Sequence, residues 1–84
     1  MTKCVTKHQI VVLHCGFVFM GDVERTEKEV IIHNANNIRK WGTERGLGQI
    51  AADGPTEKTI LDYAGTVRFH PLAEVCSYDC TYGE

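Results

Sequence analysis

The feature that most constrains this chain is a succession of three blocks rich in β-branched and aromatic residues within its first 33 positions. Residues 9–15 (QIVVLHC), 17–24 (FVFMGDVE) and 29–33 (EVIIH) are parted by Gly16 and by the polar run Arg25-Thr-Glu-Lys28. Side chains branched at Cβ stand well on a pleated strand and crowd the preceding turn of a helix, so each block reads as a strand. Gly16 permits a tight turn, and the spacing is that of an antiparallel meander. Thr26 and Glu29 have the spacing of a capping box, but the Val30-Ile-Ile32 that follows favours a strand.

Asn34-Ala-Asn-Asn37 interrupts this pattern. Asparagine tolerates left-handed backbone and bonds to its own chain, which predicts a bulge or corner. Beyond it, Ile38-Arg-Lys-Trp41 reads as strand, although Ala35, Ile38 and Trp41 also have helical spacing. Residues 46–53 carry the best helical signal. Leu47, Ile50 and Ala51 share one face, Thr43 or the glycines can begin the helix, and Gly54-Pro55 ends it. Two turns require tertiary packing to persist. Residues 59–61, 66–69 and 73–77 are short candidate strands, separated by residues 62–65 and by a His70-Pro71 corner. Residues 79–84 are expected to fray.

The expectation is one domain over residues 1–84, of α+β class and mainly β: a small curved antiparallel sheet, a meander, with one short helix around residues 46–53. A chain of 84 residues buries a thin core. Its apolar strands and open edges therefore predict a homo-oligomer. At 43% hydrophobic and 24% charged residues the chain is too apolar and too balanced to be disordered. A formal charge of −2 gives no basic footprint for a nucleic-acid duplex. No stretch approaches the roughly 18 apolar residues of a membrane span. Residues 10–20 have His14 in their middle and no small-x-small cleavage site after them, so they are not a signal peptide. A cytoplasmic protein with four reduced cysteines is the expectation.

Among possible chemistries, the segment around residues 39–56 stands out. It holds Trp41, Thr43 and four of the eight glycines, and Arg39, Lys40 and Arg45 fall within seven residues. Arg45 directly precedes Gly46-Leu-Gly48, where the short helix begins. Free N–H groups and a partial positive charge at a helix start attract phosphate or carboxylate, and glycines allow close approach. Arg39, Trp41, Thr43, Arg45, Gly46, Gly48 and Arg68 are thus the candidate ligand residues, with the guanidinium groups supplying charge. Tryptophan is mostly buried in small domains, so Trp41 reads first as a core plug and alternatively as a platform on which a base stacks. Gly46-x-Gly48 lacks the further residues of a dinucleotide fingerprint or P-loop, and a plain turn with solvated arginines fits it too.

Other arrangements offer less. Cys76-x-x-x-Cys80 with His70 supplies one pair of thiols, and Cys4 and His8 would have to complete a zinc site, so no metal is expected. His14-Cys15 on a strand would point to opposite faces. With Ser77 the chain's one serine and no nucleophile beside a base, neither catalysis nor a cofactor is expected.

The run from Met20 to Cys80, including Ile38-Arg-Lys-Trp-Gly-Thr43, Arg45-Gly-Leu-Gly48, Gly54-Pro-Thr56, Leu61-Asp62 and Gly65-Thr-Val-Arg68, resembles a group of short uncharacterised proteins of bacteriophages and prophage-bearing bacteria. In the pattern of that group a threonine stands where this chain has Glu44. The resemblance implies a phage accessory protein that acts by binding, and it carries no functional residue across. The leading expectation is non-catalytic binding of a small anionic ligand, a nucleotide-type signal of host antiviral defence that the protein sequesters in the infected cell. The alternative is a protein–protein module that inhibits or assembles with a host or phage protein. A concave site at residues 41–56 would speak for the ligand, an exposed apolar patch for the module.

Overall fold

The computed structural model describes residues 6–82. Five antiparallel strands form one sheet: β1 (Lys7–Leu13), β2 (Val18–Arg25), β3 (Val30–Lys40), β4 (Ile60–Phe69) and β5 (Glu74–Asp79), in the spatial order β4-β3-β2-β1-β5. A single helix, α1 (Leu47–Asp53), lies between β3 and β4, and a one-turn 3-10 helix (Pro71–Ala73) between β4 and β5. The mainly β meander with one short helix is what the hydrophobic blocks predicted.

The turns follow their residues. Gly16 has φ 94° in the β1–β2 turn. At the β2–β3 turn the Thr26 hydroxyl accepts from the N–H groups of Lys28 and Glu29 at 3.3 and 3.0 Å. The capping-box spacing here closes a hairpin, because the chain beyond it is committed to a strand. Asn34 adopts φ 53°, and the β3–β4 register slips between Ile32 and Ala35, so the predicted bulge is present. Opposite it lies the buried Gly21 of β2. A Cβ at Gly21 would stand 2.7 Å from Ile32 Cγ2 and 2.9 Å from the His33 carbonyl oxygen, so only glycine allows this approach.

Several boundaries differ from the sequence reading. β1 ends at Leu13, which leaves His14 and Cys15 in the turn. β3 continues past the bulge in the asparagine cluster to Lys40, as the strand reading of residues 38–41 expected, but stops one residue short, with Trp41 just beyond. The sequence pattern predicts separate strands at residues 59–61 and 66–69, but β4 is continuous. Gly65 takes φ 76° within it, which absorbs a bulge rather than breaking the strand.

Strands β4 and β5 are the two edges, yet four residues join Phe69 to Glu74. A flat five-stranded sheet would hold its edges about 19 Å apart. A connection containing a 3-10 turn reaches roughly 13 Å. The sheet is therefore coiled. Adjacent residues on a strand point to opposite faces, and each face has its own core. On one, Ile10, Val18, Met20 and Ile38 pack with Leu47, Ile50 and Ala51 of α1 and with Cys80. On the other, Val11, Leu13, Phe19, Val23, Val30, Ile32 and Ala35 form a cluster that Val67 and Phe69 border. Coiling of the sheet encloses this second cluster, since α1 lies on the first.

The tail expected to fray from residue 79 is docked as far as residue 82. Thr81 and Tyr82 donate their N–H groups to the Ala51 carbonyl at 2.7 and 3.3 Å, and Cys80 donates to the His8 carbonyl at 3.0 Å. The Tyr82 ring covers Gly54, where a Cβ would lie 3.2 Å from it. Tyr82 Oη stands 3.2 Å from His8 Nε2, whose Nδ1 is 3.1 Å from Asp22 Oδ1. The segment straps α1 to the sheet, supplying the tertiary packing that a seven-residue helix needs. Residues 83 and 84 lie outside the described residues.

Candidate functional site

The segment that the sequence singled out is a loop stabilised from within. Beyond β3 the chain turns at Gly42 (φ 64°) and Gly46 (φ 76°) before α1. The Thr43 hydroxyl donates to the Gly46 carbonyl at 3.0 Å, and Gln49 Oε1 accepts the Arg45 N–H at 3.0 Å. Thr43 and the Arg45 amide are thus engaged in building the helix start. Gly48, on the helix, has no atom within 4 Å of a hypothetical Cβ, so close packing does not require glycine there.

Trp41 is 44% exposed, which corrects the reading of it as a core plug. The core beneath β3 is filled by Ile38, while the chain leaves the sheet after Lys40 and carries the indole outward. One edge of the indole rests near Gly46, where a Cβ would lie 3.7 Å from Cζ3.

Each candidate arginine meets a carboxylate: Arg39 with Asp62 at 2.7 Å, Arg45 with Asp53 at 3.0 Å and Arg68 with Glu29 at 3.1 Å. All three pairs are exposed, so they contribute little to stability, at most about 1 kcal/mol each. Arg39 and Arg45 flank the loop. Arg68 does not join them: it is six strand positions from Asp62, about 20 Å along β4. The hollow at the loop, about 220 Å³, is lined by Gly42, Glu44, Gln49, Thr56, Glu57 and Lys58, with two carboxylates to one ammonium. That balance does not favour an anion.

A larger cleft, about 530 Å³, opens between the β1–β2 turn and the β3–β4 pair. Phe19, Asn37 and Asp62 are cross-strand partners on one face and lie along it. Phe17 stands at the rim, 56% exposed, with its ring centroid 6.0 Å from that of Phe19. Tyr63, at the opposite rim, is 70% exposed. The Arg39–Asp62 pair closes the polar end. Of the sequence candidates, Arg39 alone reaches this cleft. The hint in the sequence was an aromatic residue directly after the Gly16 turn, where hairpin tips are ordinarily polar.

The cysteines separate by environment. Cys15 and Cys76 are exposed and Cys80 is buried. Burial, and secondarily the charge of Asp79, push the Cys80 thiol up to about 11. At pH 8 an alkylating reagent should modify Cys15 and Cys76 within minutes and spare Cys80 until the protein unfolds, as peptide mass mapping would reveal. Labelling of Cys80 at the rate of Cys76 in folded protein would contradict its burial. Because the folded thiol titrates above its ordinary value of 9.0, this group stabilises the fold below pH 9. That contribution fades as pH rises from about 9 to about 11.

Among the described residues no helix is long and apolar enough to cross a membrane. Comparison with protein-family models, with curated proteins and with solved structures gives no match.

Proposed function

We propose that this protein is a non-catalytic binding module that engages another protein, of the phage or of its bacterial host. The observation that carries this reading is the cleft of about 530 Å³ with Phe17 and Tyr63 exposed on its rims. Two solvated aromatic rings cost free energy in water, and they become favourable when a partner's apolar side chain enters between them. Aromatic anchors of this kind commonly dominate protein interfaces. The resemblance to phage accessory proteins supplies the context: occupying a host protein, or assembling with a phage one.

The test is a Phe17→Ser, Tyr63→Ser double variant. Both side chains are exposed, so its melting temperature should stay within a few degrees of wild type. Immobilised wild type should retain a discrete protein from infected-cell extract that the variant loses, with affinity reduced at least about tenfold. Equal retention by the two would refute the cleft as the binding surface.

A nucleotide-type anionic ligand is the second reading, and the exposure of the Trp41 indole favours it. A base stacked there would lie near Arg45, whose ion pair with Asp53 is exposed and easily exchanged for a phosphate. A thermal-shift screen with linear and cyclic nucleotides tests it. Stabilisation by one of them, lost in both Trp41→Ala and Arg45→Ala at unchanged basal melting temperature, would support this ligand over a protein partner.

A further inference from the structure

The two edges of the sheet are unlike. β4 slips register three times against β3, and the ion pairs Arg39–Asp62 and Arg68–Glu29 stand along it. Bulges and charges of this kind discourage another strand from pairing. β5 has less of this protection: one register shift, at Val75, and one ion pair, Arg25–Glu74, both at its first end. It reads Glu74-Val-Cys-Ser-Tyr-Asp79, with no lysine, arginine or proline, and Val75 and Tyr78 are 55% and 38% exposed. Its register against β1 is regular from Cys76 to Asp79.

The ladder also shows which backbone groups are free. Cys80 donates to the His8 carbonyl, so His8/Cys80 is a hydrogen-bonded pair. In an antiparallel ladder such pairs alternate, which makes Ile10/Tyr78 and Val12/Cys76 hydrogen-bonded and turns the N–H and C=O of Ser77 and Asp79 away from β1. Carboxylates stand at both ends of this edge. Glu74 is held by Arg25 at 2.7 Å. Asp79 accepts from Gln9 at 2.6 Å and has no cation in ion-pair distance among the described residues.

We propose that the outer edge of β5 is a strand-addition site for an extended segment of a partner protein, apolar at its centre and basic at its ends. The segment would bond to the Ser77 and Asp79 main chain, place apolar side chains beside Val75 and Tyr78, and set a lysine or arginine opposite Asp79. A second copy of this chain is a poorer occupant. Antiparallel self-pairing that uses the outward groups of both copies sets Ser77 opposite Ser77 and Asp79 opposite Val75, next to Glu74, so it offers Asp79 no cation and gathers carboxylates at both ends. The inference rests on the reading of the protein as a protein-binding module, but on a surface separate from the cleft.

The experiment is an amide-resolved NMR titration of the full chain with two blocked hexapeptides, Lys-Val-Thr-Val-Thr-Lys and Glu-Val-Thr-Val-Thr-Glu. The lysine-flanked peptide should shift the Ser77 and Asp79 amides and slow their hydrogen exchange, and it should bind about tenfold tighter than the acidic one. Asp79→Asn keeps an acceptor for Gln9 and should narrow that preference. Ser77→Pro removes an outward N–H that β1 does not use, so it should abolish the response while the fold persists. If that variant fails to fold, the comparison of the two peptides on wild type remains decisive. Three results would each overturn the inference: equal binding of the two peptides, no response at Ser77 and Asp79, or a dimer by light scattering whose formation protects those amides without peptide. Response confined to residues 16–19 and 62–64 would overturn it and leave the cleft reading standing. Loss of partner retention is scored separately by the Phe17, Tyr63 variant.

Discussion

Gly42→Ala will lower stability by about 2–4 kcal/mol, seen as a reduced urea midpoint with an unchanged m-value. Two causes act together. The residue has φ 64°, where a side chain is strained. A Cβ there would also run into the Lys58 carbonyl group and lie 2.7 Å from the Thr59 nitrogen, all backbone atoms that cannot rotate aside. The two chain segments are pinned at this crossing: Thr56 Oγ1 donates to the Gly42 carbonyl at 2.8 Å and Thr59 Oγ1 to the Trp41 carbonyl at 2.6 Å. Opening the crossing to admit a methyl group would break both bonds. Gly48→Ala is the control. It has open space around it on the helix, so alanine should be neutral or stabilising by up to about 1 kcal/mol. Similar midpoints for the two variants would show that the loop is not held as described.

Ile32→Ala will cost about 3–4 kcal/mol, within the range for truncating a fully buried aliphatic side chain. Ile32 is 0% exposed and sits in the core cluster on the face opposite α1, paired with Val23 on one side and Val67 on the other. Its Cγ2 lies where a Cβ on Gly21 would go, and the bulge that follows at Asn34 constrains how far the backbone can settle into the void. A protein of this length has a total stability of about 4–13 kcal/mol, so the variant would forfeit roughly a quarter of it or more. Ile32→Val, which keeps Cγ2, should lose only about 1 kcal/mol. A loss below 1 kcal/mol for the alanine variant would mean that the second face is not a packed core.

The local chemistry was legible wherever a residue's own backbone preference decided the outcome. Gly16, Asn34 and Gly54 take the positive φ values their types allow, at the turn, bulge and helix end expected of them. Leu47, Ile50 and Ala51 are buried on the helix face that their spacing marked. The candidate site was less legible. Composition places Arg39, Arg45 and Arg68 on one list, but only strand register shows that Arg68 sits some 20 Å along β4 from Asp62 and that each arginine has its own carboxylate. The partners Asp62, Asp53 and Glu29 are between 8 and 39 residues away in sequence. No local pattern encodes such pairings.

By itself, then, the sequence determined the element types: β-branched blocks that suit strands, glycines and asparagines that turn the chain, and one apolar stripe that makes a helix. These follow from steric preferences that act over a few residues. Tertiary structure alone decided that the four-residue link from Phe69 to Glu74 coils the sheet, that residues 80–82 strap α1 instead of fraying, and that Trp41 stands outside while Ile38 fills the core. It also decided that β4 is blunted and β5 open. Each of these depends on contacts between residues distant in the chain, whose free energy exists only once the strands have paired and the sheet has coiled.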